Sequence, residues 1–345
     1  MSHYRNFTLL AASLLGLVLN TASAWAEPRS VIDDSGRQVE LPDQVERIAE
    51  TWFAHQELLM TLGAGPRIVA TVNNPQTRPW MFKVQPLPDG TALTHGDAFN
   101  VESLLAARVD VVFTATAGER NALAYEQAGI PTLRMNFTDL PSLQRSLVTI
   151  AQVLGTPEAR QRAEAYNAYL DEKLHEVHTL TDPLTDAQRP RVLHIASLNP
   201  LRVDGSGTLI DDWIKVAGGR NAATGLNGNQ QPVSGEQLLA WQPDVIILAA
   251  NAGALDSAPD AALFKHLPAV TQGRLLRNPD GVFPWDRYGT EAALQIQWAA
   301  RQLHPERFSH VNMIERTIDF YRRFFDYPLK PEDAQRILDG LPPAS

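Results

Sequence analysis

The chain of 345 residues contains no cysteine. That absence excludes disulfide scaffolds, iron–sulfur clusters, thiolate zinc sites and cysteine nucleophiles, and leaves open only groups held by O and N atoms. Basic residues are also scarce. Against 39 Asp and Glu stand 30 Lys and Arg, a net charge of −9. A net negative surface repels phosphate backbones and anionic lipid, so no nucleic-acid partner is expected. Long apolar runs are missing: the richest internal one, Asp244 to Ala250 (DVIILAA), has the length of a strand. Catalytic layouts are missing too, with no GxSxG elbow, no GxxxxGKS/T phosphate loop, no HExxH and no complete GxGxxG. Neither an enzyme nor a bound cofactor is expected.

What is present is globular. Apolar residues make up 44% of the chain, enough for two cores. Arg5 precedes an apolar run from Phe7 to Leu19, and the small-residue site Ala24-Trp25-Ala26 follows before Glu27 and Pro28. The run falls short of the roughly 20 residues that span a bilayer, so residues 1–26 read as a cleaved signal peptide. With no cysteine to carry a lipid, the mature chain is expected free in the periplasm.

The mature chain reads as alternating strands and helices. Arg29 to Leu41 alternates apolar and polar residues around Asp34-Ser35-Gly36, the pattern of a β-hairpin. Strands follow at 47–49, 68–72, 109–114 and 130–135, with helices at 54–62, 101–107 and 121–128. Such alternation predicts a parallel sheet covered by helices. Between Pro157 and Leu180 the spacing of Ala163, Tyr166, Leu170, Leu174 and Val177 predicts one uninterrupted helix. Counting about 22 residues at 1.5 Å each, it forms a rod of roughly 33 Å. A second α/β series then begins, with elements at 192–196, 209–216, 236–240 and 245–249 and a late helix at 290–303. The expected division is an N-terminal lobe over 27–156, a joining helix over 157–180 and a C-terminal lobe over 181–345.

The two series resemble each other. Glu102 to Phe113 (ESLLAARVDVVF) lies on Glu236 to Ile247 (EQLLAWQPDVII) with identity at six of twelve positions. Both segments open with a glutamate at a predicted helix start, where the helix dipole favours a carboxylate. Two carboxylates held apart at a fixed distance would also make a two-pronged dock for basic pockets on a symmetric partner.

In parallel sheets, ligands sit outside the carboxyl ends of the strands. Aromatic and guanidinium groups collect at those positions: Trp52 after the first strand, Trp80 after the second, Arg202 after the strand at 192–196, and Trp285, Arg287 and Tyr288 before the last long helix. Flat rings bury ligand area at little entropic cost, and Arg pairs with oxygen ligands in a planar fork. These six residues are the candidate ligand site, suited to a large, oxygen-rich anionic or planar guest. His55, His95 and His194 offer a weaker, direct route to a bare metal ion or oxyanion, although His194, alternating within a strand, reads as packed.

The order of DDSGR, AHQELLMTLGAG, NVESLLAARVDVVF, YEQAGIPTL, the long helix, NPLRVDGSGTLIDDWIKVAGGRN, VSGEQLLAWQPDVII and WDRYGTEAALQIQWAARQLHPERF resembles the periplasmic substrate-binding proteins of metal-chelate ABC importers. The likeness runs from about Arg29 to the C-terminus. It implies a class III periplasmic binding protein: two Rossmann-like α/β lobes with parallel sheets, joined by one long helix, with the ligand in the cleft between them. It further implies that Glu102 and Glu236 salt-bridge to arginines on the two subunits of an inner-membrane ABC permease, and that the receptor is a monomer. Gly96 and Gln230 stand where vitamin B12 binders tend to carry tryptophan, which turns the expected ligand from cobalamin toward a ferric siderophore. Haem remains an alternative, with Tyr288, His55 or His95 as the iron ligand such proteins use.

Overall fold

A computed structural model describes residues 29–344 apart from His95 and Asp97, so the expected signal peptide at 1–26 lies outside the described residues. The chain opens with an antiparallel hairpin, β1 (Ser30–Ile32) and β2 (Gln38–Glu40). The N-terminal lobe continues through β3 (Ile48–Glu50), α1 (His55–Thr61), β4 (Ile68–Thr71), α2 (Pro79–Val84), β5 (Ala92–Leu93), α3 (Val101–Ala106), β6 (Val111–Ala115), α4 (Glu119–Gln127), β7 (Thr132–Met135) and α5 (Leu140–Leu154). Its five strands run parallel in the order β5-β4-β3-β6-β7. Helix α6 (Pro157–Thr181) then leads to the second lobe.

That lobe contains β8 (Arg191–Leu198), β9 (Leu201–Val203), α7 (Leu209–Val216), β10 (Arg220–Asn221), β11 (Gln231–Pro232), α8 (Gly235–Trp241), β12 (Val245–Leu248), α9 (Ala261–Phe264), α10 (Pro268–Thr271) and β13 (Leu275–Arg277). Three helices close the chain: α11 (Ala292–Leu303), α12 (Met313–Phe324) and α13 (Pro331–Leu338). The sheet order is β11-β9-β8-β12-β13; β12 runs parallel to both β8 and β13, and β9 turns back antiparallel on β8. The duplicated segments are α3–β6 and α8–β12, and each delivers a strand beside the first strand of its lobe's main sheet.

Helix α5 had no counterpart in the sequence reading. Its pattern is nonetheless regular: Leu140, Leu143, Leu147, Ile150 and Leu154 are buried, Asp139 forms a capping box with Ser142, and Gly155 ends it at φ +71°. The helix packs along α6.

Alternation along the strands feeds three cores. Ile48, Val111 and Phe113 of the first lobe, and Val192, Val245 and Ile247 of the second, face one shared core that also takes in α5, α6, α7, α11 and α12. Ala49 and Val112 face a separate outer core, as do Leu193, Ile195, Ile246 and Leu248 in the second lobe. Strands buried on both faces read as continuous apolar runs.

Where the lobes meet, α1 contacts the turn that starts α11. The buried Glu57 carboxylate accepts from the Thr290 hydroxyl at 2.7 Å and from the Glu291 backbone N–H at 2.6 Å. Glu291 in turn accepts from Phe283 N–H and Trp285 Nε1–H, each at 2.9 Å, and from the Tyr321 hydroxyl at 2.6 Å. A Cβ at Gly289 would run into the Glu57 carboxylate, so only glycine allows this approach. Burial pushes Glu57 up to about 8 from an ordinary value of 4.5. Burial, with the Glu57 charge beside it, lifts Glu291 well above the usual carboxylate range.

The folded chain therefore holds protons that the unfolded chain releases near 4.5. Stability should fall as pH rises through the window from about 4.5 to about 8, because the native state is the better proton binder there. Urea unfolding midpoints measured across that window will decline for the wild type and less steeply for Glu57→Gln, where buried Glu291 still titrates; a level or rising wild-type profile contradicts the assignment.

Candidate functional site

The first strand of each lobe's main sheet, β3 and β8, lies where strand order reverses, and both point their carboxyl ends at one cleft. Such reversal points are where open α/β sheets place ligands. The cleft has a volume of about 500 Å³. One wall comes from the loop after β3, with Trp52 and Phe53, and from Arg78 before α2. The other comes from Ser197, Asn229, Gln230 and Asn251, and from the loop before α11, with Phe283, Arg287 and Tyr288.

Three aromatic rings span the two lobes at the cleft. Trp52 lies 6.0 Å from Tyr288, and Phe137 packs against both, 5.2 Å from Trp52 and 5.6 Å from Tyr288. The Tyr288 hydroxyl accepts from Asn229 Nδ2, and burial raises its pKa. Beneath Trp52, His55 Nδ1 and Glu50 Oε2 sit 2.5 Å apart, fully buried, while Glu50 Oε1 accepts from the Trp52 backbone N–H at 2.9 Å. Burial raises the Glu50 pKa.

The two cationic groups are held differently. Arg287 faces Asp204 at 3.2 Å and Asp286 at 3.8 Å, and both carboxylates also flank His194, whose Nδ1 and Nε2 each lie 2.7 Å from one of them. Burial opposes charge on the His194 ring, but the hydrogen bonds to Asp204 and Asp286 outweigh it and raise its pKa. Burial also opposes charge on Asp204, yet the bond from His194 and the nearby Arg287 hold it well below the ordinary carboxylate range. Among the described residues Arg78 is in no ion pair, and Asp280 and Asp286 act on it only from beyond contact. Its side chain stacks over the Phe283 ring at 4.6 Å, Nη1 donates only to the Thr77 carbonyl at 3.3 Å, and Nε is buried without a partner. Burial lowers its pKa.

Of the six residues predicted to bind ligand, the structure brings Trp52, Arg287 and Tyr288 to the cleft. Trp80 is a correction. Pro79 starts α2 and turns the Trp80 indole inward, where it is 1% exposed and donates to the Leu341 carbonyl at 2.9 Å. Trp285 is another: it is fully buried and serves as a donor to Glu291 in the seam between lobes. Large rings near a site are still drawn into cores by their area. Arg202 is the third, since it lies on β9, does not line the cleft, and donates to the Gln230 carbonyl at 2.9 Å.

Of the histidines, His194 has both nitrogens committed to carboxylates, while His55 is fully buried with Nδ1 against Glu50 and Nε2 without a hydrogen-bond partner among the described residues. His95 lies outside the described residues. Among the described residues, no group of three or more His, Asp or Glu could hold a metal ion. Sequence reasoning missed Arg78, Asn229 and Asn251. Arg78 was within reach, two residues before the Trp80 that drew attention to the same loop.

Glu102 and Glu236 are both exposed at the second position of their helices, behind the capping residues Asn100 and Ser234. Neither takes part in an ion pair among the described residues, and the Ser234 hydrogen bond lowers the Glu236 pKa.

Residues 51–280 match the model of the periplasmic binding protein family, and the chain belongs to that family. Its fold is that of the class III periplasmic binding proteins, and its family is one of binding proteins. The molybdate-binding protein MolA of Haemophilus influenzae is 26% identical over 95% of this chain and 99% of its own. The structure of MolA bound to molybdate superposes with a TM-score of 0.76 at 22% identity, covering 88% of this chain and 99% of that one. A periplasmic solute-binding protein from Veillonella parvula gives 0.74 at 22% identity over 90% of this chain and 96% of its own. Helicobacter pylori CeuE with Ni(II) bound gives 0.72 at 17% identity, over 90% of this chain and 99% of its own.

The correction at Trp285 can be checked. Trp285→Phe keeps an aromatic ring, though a smaller one, and leaves Glu291 short of a buried donor, which should cost at least about 1–3 kcal/mol of stability with no change at the cleft. Urea unfolding with an unchanged midpoint would show that the indole N–H is not needed in the seam.

Proposed function

We propose that the cleft captures a metal-containing anion that presents oxygen atoms, and that the protein delivers it to an inner-membrane ABC permease. Arg78 carries this reading. It is a cleft-wall guanidinium with no ion pair among the described residues and a buried N–H without an acceptor. An unmet buried donor costs about 1–3 kcal/mol, more when charged, and an oxygen ligand in the cleft removes that cost. Asn229, Asn251 and Ser197 add neutral hydrogen-bonding groups, while Trp52 and Tyr288 supply flat apolar surface.

The volume, about 500 Å³, falls in the range of about 300–1,000 Å³ that suits organic ligands. This supports a ferric siderophore or similar chelate. Molybdate is the second reading, supported by the full-length likeness to a molybdate-binding protein. Delivery would use Glu102 and Glu236, exposed and unpaired carboxylates on matching helices of the two lobes, as prongs for basic pockets on the permease.

Isothermal titration with sodium molybdate and with a ferric catecholate separates the two ligands. Whichever binds, Arg78→Gln should weaken it about tenfold to a hundredfold, the scale of a hydrogen bond to a charged group. Unaltered affinity in that variant contradicts the reading. For delivery, Glu102→Ala combined with Glu236→Ala should leave binding intact and abolish uptake by cells; normal uptake would remove the two glutamates from the dock.

A further inference from the structure

We propose that His194 is a positioning residue for the cleft: clamped between Asp204 and Asp286, its ring fixes both carboxylates so that they aim the Arg287 guanidinium at the ligand. This rests on the anion-binding reading above and adds to it a division of labour between the two arginines.

The geometry begins with what each group can donate. An ionised carboxylate only accepts hydrogen bonds, and each His194 nitrogen faces one at 2.7 Å. The ring must therefore donate from both nitrogens, which only the imidazolium can do. With two aspartates, one imidazolium and one guanidinium, the cluster sums to zero charge. Its members come from three separate parts of the chain, β8, the end of β9 and the loop before α11, so the imidazolium is the tie among them.

Asp204 is further anchored by the Gln230 backbone N–H at 2.8 Å, and Arg287 reaches it through Nη1 at 3.3 Å and Nη2 at 3.2 Å. Trp213 closes the other side, its ring edge-on to His194 at 6.0 Å and its Nε1–H donating to the Asp286 carbonyl at 3.4 Å. His194, Asp204, Asp286 and Trp213 are buried. Of the four charged groups, Arg287 is the one that lines the cleft.

Two consequences follow for recognition. The charge of Arg287 is already balanced by its aspartates, so it offers directed N–H groups in a fixed orientation. Arg78 is in no ion pair among the described residues: Asp280 and Asp286 act on its charge only from beyond contact, which leaves it the freer cation at the cleft. Removing the His194 imidazolium leaves two neighbouring carboxylates with one cation between them, and the guanidinium is then drawn back toward them and away from the ligand.

A double-mutant cycle on the full chain tests this, with sodium molybdate and a ferric catecholate as probes and urea unfolding to verify that each variant is folded. His194→Gln should weaken binding about tenfold in the wild-type background, the same amount in Arg78→Gln, and almost nothing in Arg287→Gln, because coupled residues are non-additive. Equal losses in the Arg287→Gln and Arg78→Gln backgrounds, or no loss anywhere, would overturn the proposal. If the wild type binds neither probe, the proposed function fails, and ¹⁵N side-chain NMR decides the positioning role alone. The Arg287 Nε–H signal should then shift in His194→Gln and exchange more slowly, as the guanidinium closes the 3.8 Å gap to Asp286; an unchanged signal refutes the role.

Discussion

The carboxyl group of Glu57, buried between the lobes, binds the backbone N–H and the side chain that begin α11, and the placement of the cleft walls follows from that contact. Helix α1 starts only three residues after Trp52, and Tyr288 stands just before the Gly289–Glu291 turn. Fixing α1 against the turn therefore fixes one wall relative to the other. Two acids in a dry seam cannot both ionise cheaply, so the fold keeps protons there and surrounds Glu291 with three donors. The shared core around α6 reinforces the same geometry with apolar contact.

On that frame the two walls differ in chemistry. The first lobe contributes Arg78, which is in no ion pair among the described residues and feels Asp280 and Asp286 only from beyond contact, and the Trp52 face. The second contributes Arg287, set on a neutral cluster, and the amides of Asn229 and Asn251. An anion entering such a cleft meets net attraction from one side and orientation from the other. Orientation without excess charge is what separates recognition of a particular ligand from adsorption of any anion.

Much of the fold was legible because periodicity is a local property. The long helix, the duplicated helix–strand unit and the alternating strands each announce themselves within a short window. Helix α5 is legible too, through Asp139, Gly155 and its regular leucines. The site was only partly legible. The rule that ligands gather at strand ends led to Trp52, Arg287 and Tyr288, but a rich aromatic run does not reveal which ring turns inward. Trp285 and Tyr288, three residues apart, face a buried glutamate and the cleft respectively. The partners that decide this, Glu291 for Trp285 and Leu341 for Trp80, are supplied by the tertiary fold. Arg78 stayed hidden for the same reason, since a buried Nε–H without an acceptor is a property of three dimensions.

The most direct measurement is anomalous X-ray diffraction from crystals grown with molybdate and from crystals grown with a ferric catecholate. The account predicts a metal peak inside the cleft between the lobes, with ligand oxygens within hydrogen-bonding distance of Arg78 and Arg287. A metal peak anywhere else on the protein, with the cleft left unfilled in both crystals, would contradict it.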